Sequence, residues 1–238
     1  MTSTPDERAA QLAAGLAGVR HRLASAAAAA GRPVDELTLV VVTKTYPAGD
    51  VDLLGRLGVR DVGESRHPEA ADKRAQVDVE LPLRWHFVGA LQTNKARAVA
   101  GYADVVHSVD RPRLVEALSA GVTRRGRSVE CFVQVDLDEE AQPGRSGCSP
   151  RAVPELADAL AQAPGLVLAG VMAVAPRGAD PRAAFGRLAA VAADLRVRHP
   201  SARAISAGMS ADLEAAVEAG ATHVRIGRAV LGERPPTG

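Results

Sequence analysis

A lysine stands at the end of a buried strand, and the residues suited to work with it lie near the other end of the chain. Leu37-Thr38-Leu39-Val40-Val41-Val42-Thr43 runs directly into Lys44, and Thr45-Tyr46-Pro47 then stops the run. An unbroken aliphatic, β-branched stretch belongs to a strand covered on both faces, as in parallel sheets. A lysine at the mouth of such a strand is partly desolvated, which favours the neutral amine that condenses with an aldehyde. A rim lysine that merely snorkels into water or pairs with a carboxylate would leave the same trace.

Two late stretches point to an anion. Ser206-Ala207-Gly208-Met209-Ser210 closes an apolar run and opens a helical one, so backbone N–H groups, the helix dipole and the Ser210 hydroxyl can face one phosphate. In Arg225-Ile226-Gly227-Arg228, Gly227 permits close backbone approach and Arg225 offers a charged fork. The bland alternatives are that Ser210 only caps its helix and that Arg225 pairs with a carboxylate such as Glu64. Combined with Lys44, the two stretches favour a phosphorylated carbonyl compound. Other polar positions are Glu64 and Ser65, the second amine Lys95, and His86, which either points inward or is a satisfied core histidine. No Ser/His/Asp arrangement, useful carboxylate pair or metal-ligand spacing is evident.

The elements that must position these groups alternate along the chain. Strands are expected at 37–43, 61–64, 84–89, 105–110, 128–137, 166–174, 204–208 and 223–227. Helices include 111–124, 181–198 and 210–219, the last with Ser210 as N-cap and Glu214 in its first turns. Such alternation predicts βαβ units and a parallel sheet. Eight units in about 200–250 residues is the size of a (β/α)8 barrel. An open doubly wound sheet would want a Gly-rich loop after the first strand, where Thr43-Lys44-Thr45 stands instead. A helix over 6–30, ended by Gly31 and Pro33, precedes the repeat. We therefore expect an added N-terminal helix (residues 1–36) covering a mouth or side, one barrel (37–232) and a disordered tail (233–238). The Pro/Gly-rich stretch 138–147 reads as a rim loop, a lid or a solvated turn.

Composition narrows the function. The chain has 238 residues, 47% apolar and 24% charged, with net charge +1 and 3% aromatics. That balance gives no nucleic-acid surface. Two cysteines are too few for a disulfide framework. No leader and no membrane-length apolar run is apparent, so a cytoplasmic protein is expected.

Several stretches together resemble the pyridoxal 5′-phosphate (PLP) homeostasis protein family. They are Val41-Val42-Thr43-Lys44-Thr45, Gly63-Glu64-Ser65, Trp85-His86-Phe87-Val88-Gly89-Ala90-Leu91-Gln92-Thr93-Asn94-Lys95, Gly170-Val171-Met172-Ala173, Gly208-Met209-Ser210 and Val224-Arg225-Ile226-Gly227. The resemblance implies a TIM-type barrel like the N-terminal domain of alanine racemase (PLP fold type III), with a Schiff base between PLP and Lys44. Ser210 and the amides around Met209, Gly227 and Arg228 would then hold the phosphate, with Ser206 and Arg225 near the ring or phosphate. Ser65, His86 and Met172 complete the expected cofactor-binding set. Ser65 stands where the family usually has asparagine, Ala90 where proline is usual, and Arg145 where lysine is usual.

The resemblance also implies intracellular vitamin B6 homeostasis without catalysis, with PLP, related vitamers and apo-PLP enzymes as partners. The alternative is an amino-acid racemase, which needs a base on each face of the bound substrate. The related racemases take a tyrosine from a C-terminal β domain that this sequence is expected to lack, and neither Tyr46 nor Tyr102 is an obvious substitute. A Schiff-base aldolase ranks last, because those barrels usually carry the lysine on a later strand. Without the β domain's dimer contact, a monomer is expected.

Overall fold

Eight parallel strands form a closed barrel in simple sequential order, β1 next to β2 and so on until β8 returns to β1. In the computed structural model, residues 4–123, 126–138 and 146–233 are described. The strands are β1 (Thr38–Val42), β2 (Asp61–Glu64), β3 (Arg84–Phe87), β4 (Val105–Val109), β5 (Val129–Gln134), β6 (Leu166–Met172), β7 (Ala204–Ser206) and β8 (His223–Ile226). Every expected strand is present, each ending at or before its expected C-terminal residue. The helices are α1 (Pro5–Ala29), α2 (Ala48–Arg56), α3 (Glu69–Gln76), α4 (Thr93–Val99), α5 (Pro112–Thr123), α6 (Val153–Gln162), α7 (Pro181–Arg198), α8 (Leu213–Glu218) and α9 (Arg228–Leu231). Most of the loop 138–147, with Arg145, and residues 234–238 of the tail lie outside the described residues.

Side chains alternate between the barrel lumen and the helical layer, as strand geometry requires. A Cβ on Gly63 would meet the side chains of Val40 and Val42, so these three residues share the lumenal face. Val41, between them, packs instead with Leu54, Val62 and Val224 in the layer under the helices. Continuing the alternation, Lys44 rises on the lumenal side just past the strand, and Thr43 faces outward. Hydrophobic burial of both layers holds the barrel closed. Part of the lumen is filled by Val105, Phe132 and Met172.

The N-terminal helix is tied to α2, α8 and α9. Thr4 and Glu7 form a capping box at its start. A Cβ on Gly15 would lie 2.4 Å from the Val230 carbonyl oxygen, so α1 and α9 touch backbone to backbone. Arg8 pairs with the buried Asp50 at 2.6 Å and donates to the Leu231 carbonyl at 3.1 Å. Arg32 donates to the carbonyls of Val217 and Ala221. The helix thus lies along one side of the barrel, over the two helices that follow β7 and β8.

Candidate functional site

Lys44 sits in the turn immediately after β1, half-buried. Its neighbours are fastened from outside the barrel. The Thr43 hydroxyl donates to Glu64 at 2.7 Å, and the Thr43 carbonyl accepts from Lys73 Nζ at 2.8 Å. On the other side, the Thr45 N–H donates to Glu69 Oε1 at 3.1 Å. Thr45 has φ 71°, a left-handed backbone that β-branched residues rarely adopt. Strain of this sort persists where surrounding contacts over-determine the backbone, as they do here.

Glu64 and Lys73 form a buried ion pair at 2.5 Å. Burial pushes the Glu64 carboxyl above its ordinary value, with Lys73 and the Thr43 hydroxyl opposing the shift. The alternative partner suggested for Arg225, Glu64, is therefore not the one it takes. Lys73 was not apparent in the sequence, because Glu69-Ala70-Ala71-Asp72-Lys73-Arg74 reads as a solvated helix. The spacing of Glu64 and Lys73 acquires meaning only when α3 packs against the end of β2.

Arg225 lies inside the barrel, in register with Val40 and so below Lys44 on the adjacent strand. Its two terminal nitrogens donate to Ser206 Oγ at 2.5 Å and to the Ala173 carbonyl at 2.9 Å. Burial lowers its pKa to about 10, with Asp212 acting in the opposite direction. Ser206 is paired across the sheet with Met172, which is buried in the lumen. Lys44, Met172, Ser206 and Arg225 thus lie towards the same end of the barrel. Gly227 follows on β8, and a Cβ there would lie 3.2 Å from the Val42 carbonyl, so β8 closes tightly against the strand that carries Lys44.

The expected anion cradle is partly redrawn. The helix after β7 begins at Leu213 and not at Ser210, and its N-cap is Asp212. Asp212 turns its carboxylate back to accept the Met209 N–H at 2.6 Å. A local side-chain-to-backbone bond has won over helix extension, as Asp commonly arranges. Ser210 therefore sits in the loop itself, half-buried, with its carbonyl held by Arg22 of α1 at 3.0 Å. Arg228 is exposed at the start of α9.

His86 and Ser65 are each engaged by neighbours of their own. His86 is buried, and both its ring nitrogens are already committed, to His107 and to Asp61. It is at once inward-pointing and satisfied. Ser65 lies beyond β2, and a Cβ on Gly89 would come within 2.2 Å of the Ser65 carbonyl oxygen. Its backbone is therefore locked against the loop after β3. His107 carries no signal of its own in the sequence. His-Ser within the run Val105–Val109 reads as an ordinary buried strand, and only the lumenal parity of His107 distinguishes it.

A closed parallel barrel with a rim lysine after β1 and a buried arginine on β8 defines the class of the alanine racemase barrel domain. The family model described as "Alanine racemase, N-terminal domain" matches residues 15–235. Pyridoxal phosphate homeostasis proteins from Mycobacterium tuberculosis and Pseudomonas aeruginosa are 42% and 41% identical to the chain. The alignments cover 98% and 94% of this chain and 96% of each relative. The chain belongs to the pyridoxal phosphate homeostasis protein family. Among solved structures, PipY of Synechococcus elongatus with PLP bound superposes with TM-score 0.79 at 31% identity, covering 93% of this chain and all of that one. Alanine racemase from Corynebacterium glutamicum shares the fold, at TM-score 0.66 and 17% identity, over 94% of this chain and 62% of its own.

Proposed function

We propose that the chain binds PLP covalently through the Lys44 amine and acts as a non-catalytic carrier in vitamin B6 homeostasis. The observation that carries this reading is the stacking of groups in one end of the lumen: an amine at the rim, with the buried Arg225–Ser206 pair beneath it. The donor set fits the cofactor. The aldehyde of bound PLP supplies a carbonyl that condenses reversibly with an amine, releasing one water. Arg225 and Ser206 present a buried cation and a hydroxyl to a polar aromatic ring, with Met172 as an apolar neighbour. The Ser210 hydroxyl, the amides at Met209 and Gly227, and the exposed Arg228 would meet the phosphate. The Met209 amide, which now donates to the Asp212 carboxylate, is an anion-seeking donor that would also suit the phosphate.

What the remaining residues do is hold the amine. Thr43 and Thr45 are fixed by Glu64, Lys73 and Glu69, so Lys44 starts from a rigid base. Such preorganisation raises affinity by reducing the ordering cost of binding. The two tyrosines support a carrier over a racemase. Tyr46 donates its hydroxyl to the Gly232 carbonyl at 2.7 Å, and Tyr102 stacks on His67 with ring centroids 5.9 Å apart. The Tyr46 hydroxyl is thus committed to the backbone instead of serving as a second base. The relatives' name, homeostasis protein, agrees with this. The two free, buried cysteines suit a reducing, cytoplasmic compartment. No helix among the described residues is long and apolar enough to cross a membrane. We take the working form to be a monomer that receives PLP and related vitamers and yields PLP to apo-enzymes.

The test is direct. Purified protein mixed with PLP turns yellow, Lys44→Ala stays colourless, and borohydride fixes the pyridoxyl group on the peptide containing Lys44. A protein that ignores PLP, or one labelled elsewhere, overturns the assignment. Incubation of the loaded protein with L-alanine gives no sustained D-alanine; steady turnover would replace the carrier with an enzyme.

A further inference from the structure

Barrels of this type are usually filled with apolar side chains in layers. This one instead carries an unbroken hydrogen-bonded chain along its interior. Asp61, the first residue of β2, accepts from His86 Nε2 at 2.9 Å. His86 Nδ1 meets His107 Nε2 at 2.9 Å, and His107 Nδ1 meets Ser206 Oγ at 2.8 Å. Ser206 Oγ in turn accepts from Arg225 at 2.5 Å. The chain joins the N-terminal mouth, where Asp61 and His223 lie, to the Lys44 end.

With His86 neutral, the chemistry of the two terminal groups assigns every proton between them. A carboxylate only accepts, so His86 donates from Nε2 and its Nδ1 must accept. His107 therefore donates from Nε2 and accepts at Nδ1, and the Ser206 hydroxyl donates to it. Arginine only donates, which the oxygen of Ser206 satisfies. All donations run from Arg225 towards Asp61, with no group left over.

We propose that Ser206, His107 and His86 form a proton relay through which the Lys44 end of the barrel exchanges one proton with the Asp61–His86 pair at the opposite mouth. A proton arriving at Ser206 Oγ binds there, while the hydroxyl's own proton passes to His107 Nδ1. The Nε2 proton of His107 then passes to His86 Nδ1. One O–H and two N–H bonds form, and one O–H and one N–H bond break, so the net change is a single proton gained. The positive charge comes to rest on His86, against the Asp61 carboxylate. His107 is neutral before and after, and has exchanged one tautomer for the other. Making and breaking a carbonyl–amine link requires protons to come and go, and this relay supplies a store for one.

The surroundings disfavour charge on the neighbouring rings His107 and His223. Burial keeps His107 well below the ordinary imidazole value, the charges of His86, Arg225, His223 and Arg84 adding to the effect. His223, on β8, is held at about 4, again first by burial, with Asp61 opposing. Asp61 is ionised: burial alone would raise it, but His86, Arg84 and His223 together bring it below its ordinary value. Arg84 stands 3.8 Å from Asp61 and is itself paired with Glu130 at 2.9 Å.

The inference leans on the PLP reading for its purpose but not for its test. Histidine side-chain ¹⁵N spectra of the protein without PLP, recorded across pH, report the protonation and tautomer of each ring. The expected result is that His107 changes from the Nε2–H to the Nδ1–H form in the same step in which His86 becomes doubly protonated. In Asp61→Asn that joint step moves to lower pH, because the anion that stabilises the cation is gone. A His107 that keeps one tautomer while His86 titrates overturns the relay, as does a joint step unmoved by Asp61→Asn. With PLP added, the visible band of the wild type shifts with the same midpoint, and His107→Phe abolishes that shift. An identical pH profile in folded His107→Phe overturns the link to the Lys44 end.

Discussion

Lys73 Nζ donates to the Thr43 carbonyl at 2.8 Å, so a buried lysine of α3 grips the residue that precedes Lys44. The same ammonium sits 2.5 Å from Glu64, whose other partner is the Thr43 hydroxyl. One ion pair therefore clamps both the hydroxyl and the carbonyl of a single residue just past β1. Such a pair contributes little net stability against an apolar replacement, but breaking half of it is costly.

Lys73→Met leaves the Glu64 carboxylate buried without its counter-charge. The expected loss is about 3–5 kcal/mol in urea unfolding, and Lys73→Met with Glu64→Leu recovers most of it. The single variant also releases the Thr43 carbonyl, so its PLP dissociates faster than from the wild type. Equal stability of the single and double variants would remove the clamp from the account.

Acid should weaken the fold before the carboxylates titrate. His223 is depressed to about 4 from the ordinary 6.5, and His107 is also lowered, both chiefly by burial. A depressed histidine contributes stability that is fully present above the unfolded value and is lost as pH falls towards the folded one. In that window the unfolded chain holds more protons, so stability rises with pH. The His223 shift alone corresponds to roughly 3 kcal/mol between pH 6.5 and 4. Chemical denaturation at several pH values reads this slope, and His223→Gln flattens it.

The first helix braces the loop expected to hold the phosphate. Arg22 donates to the Ser210 carbonyl at 3.0 Å and pairs with Glu214 at 2.9 Å. Both side chains are largely exposed, so the pair contributes less than about 1 kcal/mol to stability. Arg22→Ala is therefore expected to leave the unfolding midpoint nearly unchanged while weakening PLP binding a few-fold. Binding that follows Lys44 alone, indifferent to Arg22, would separate α1 from the site.

Gly89 sets the path of the loop after β3. Its absent Cβ would stand 2.2 Å from the Ser65 carbonyl oxygen, a backbone atom that cannot step aside cheaply. Gly89→Ala should cost about 1–3 kcal/mol, lowering the melting temperature by several degrees. An unchanged melting curve would show that the two loops are free to part.

Much of this protein is legible in its sequence. The unbroken run Leu37–Thr43 could only be a strand covered on both faces, and eight strand–helix alternations left a barrel as the economical closure. The placing of Lys44 at a strand end, and of Ser206 and Arg225 on the last two strands, came from local pattern alone. Three things did not. Asp212 took the Met209 amide and shortened the helix that Ser210 was expected to cap. Lys73 found Glu64 across the helical layer. Asp61, His86, His107, Ser206 and Arg225, drawn from five strands, met in one line. The reason is geometric. Alternation along a strand tells which residues face inward, a property of two neighbours in sequence. Which inward residues touch depends on the register and closure of the whole sheet, and those are decided only when the eighth strand pairs with the first.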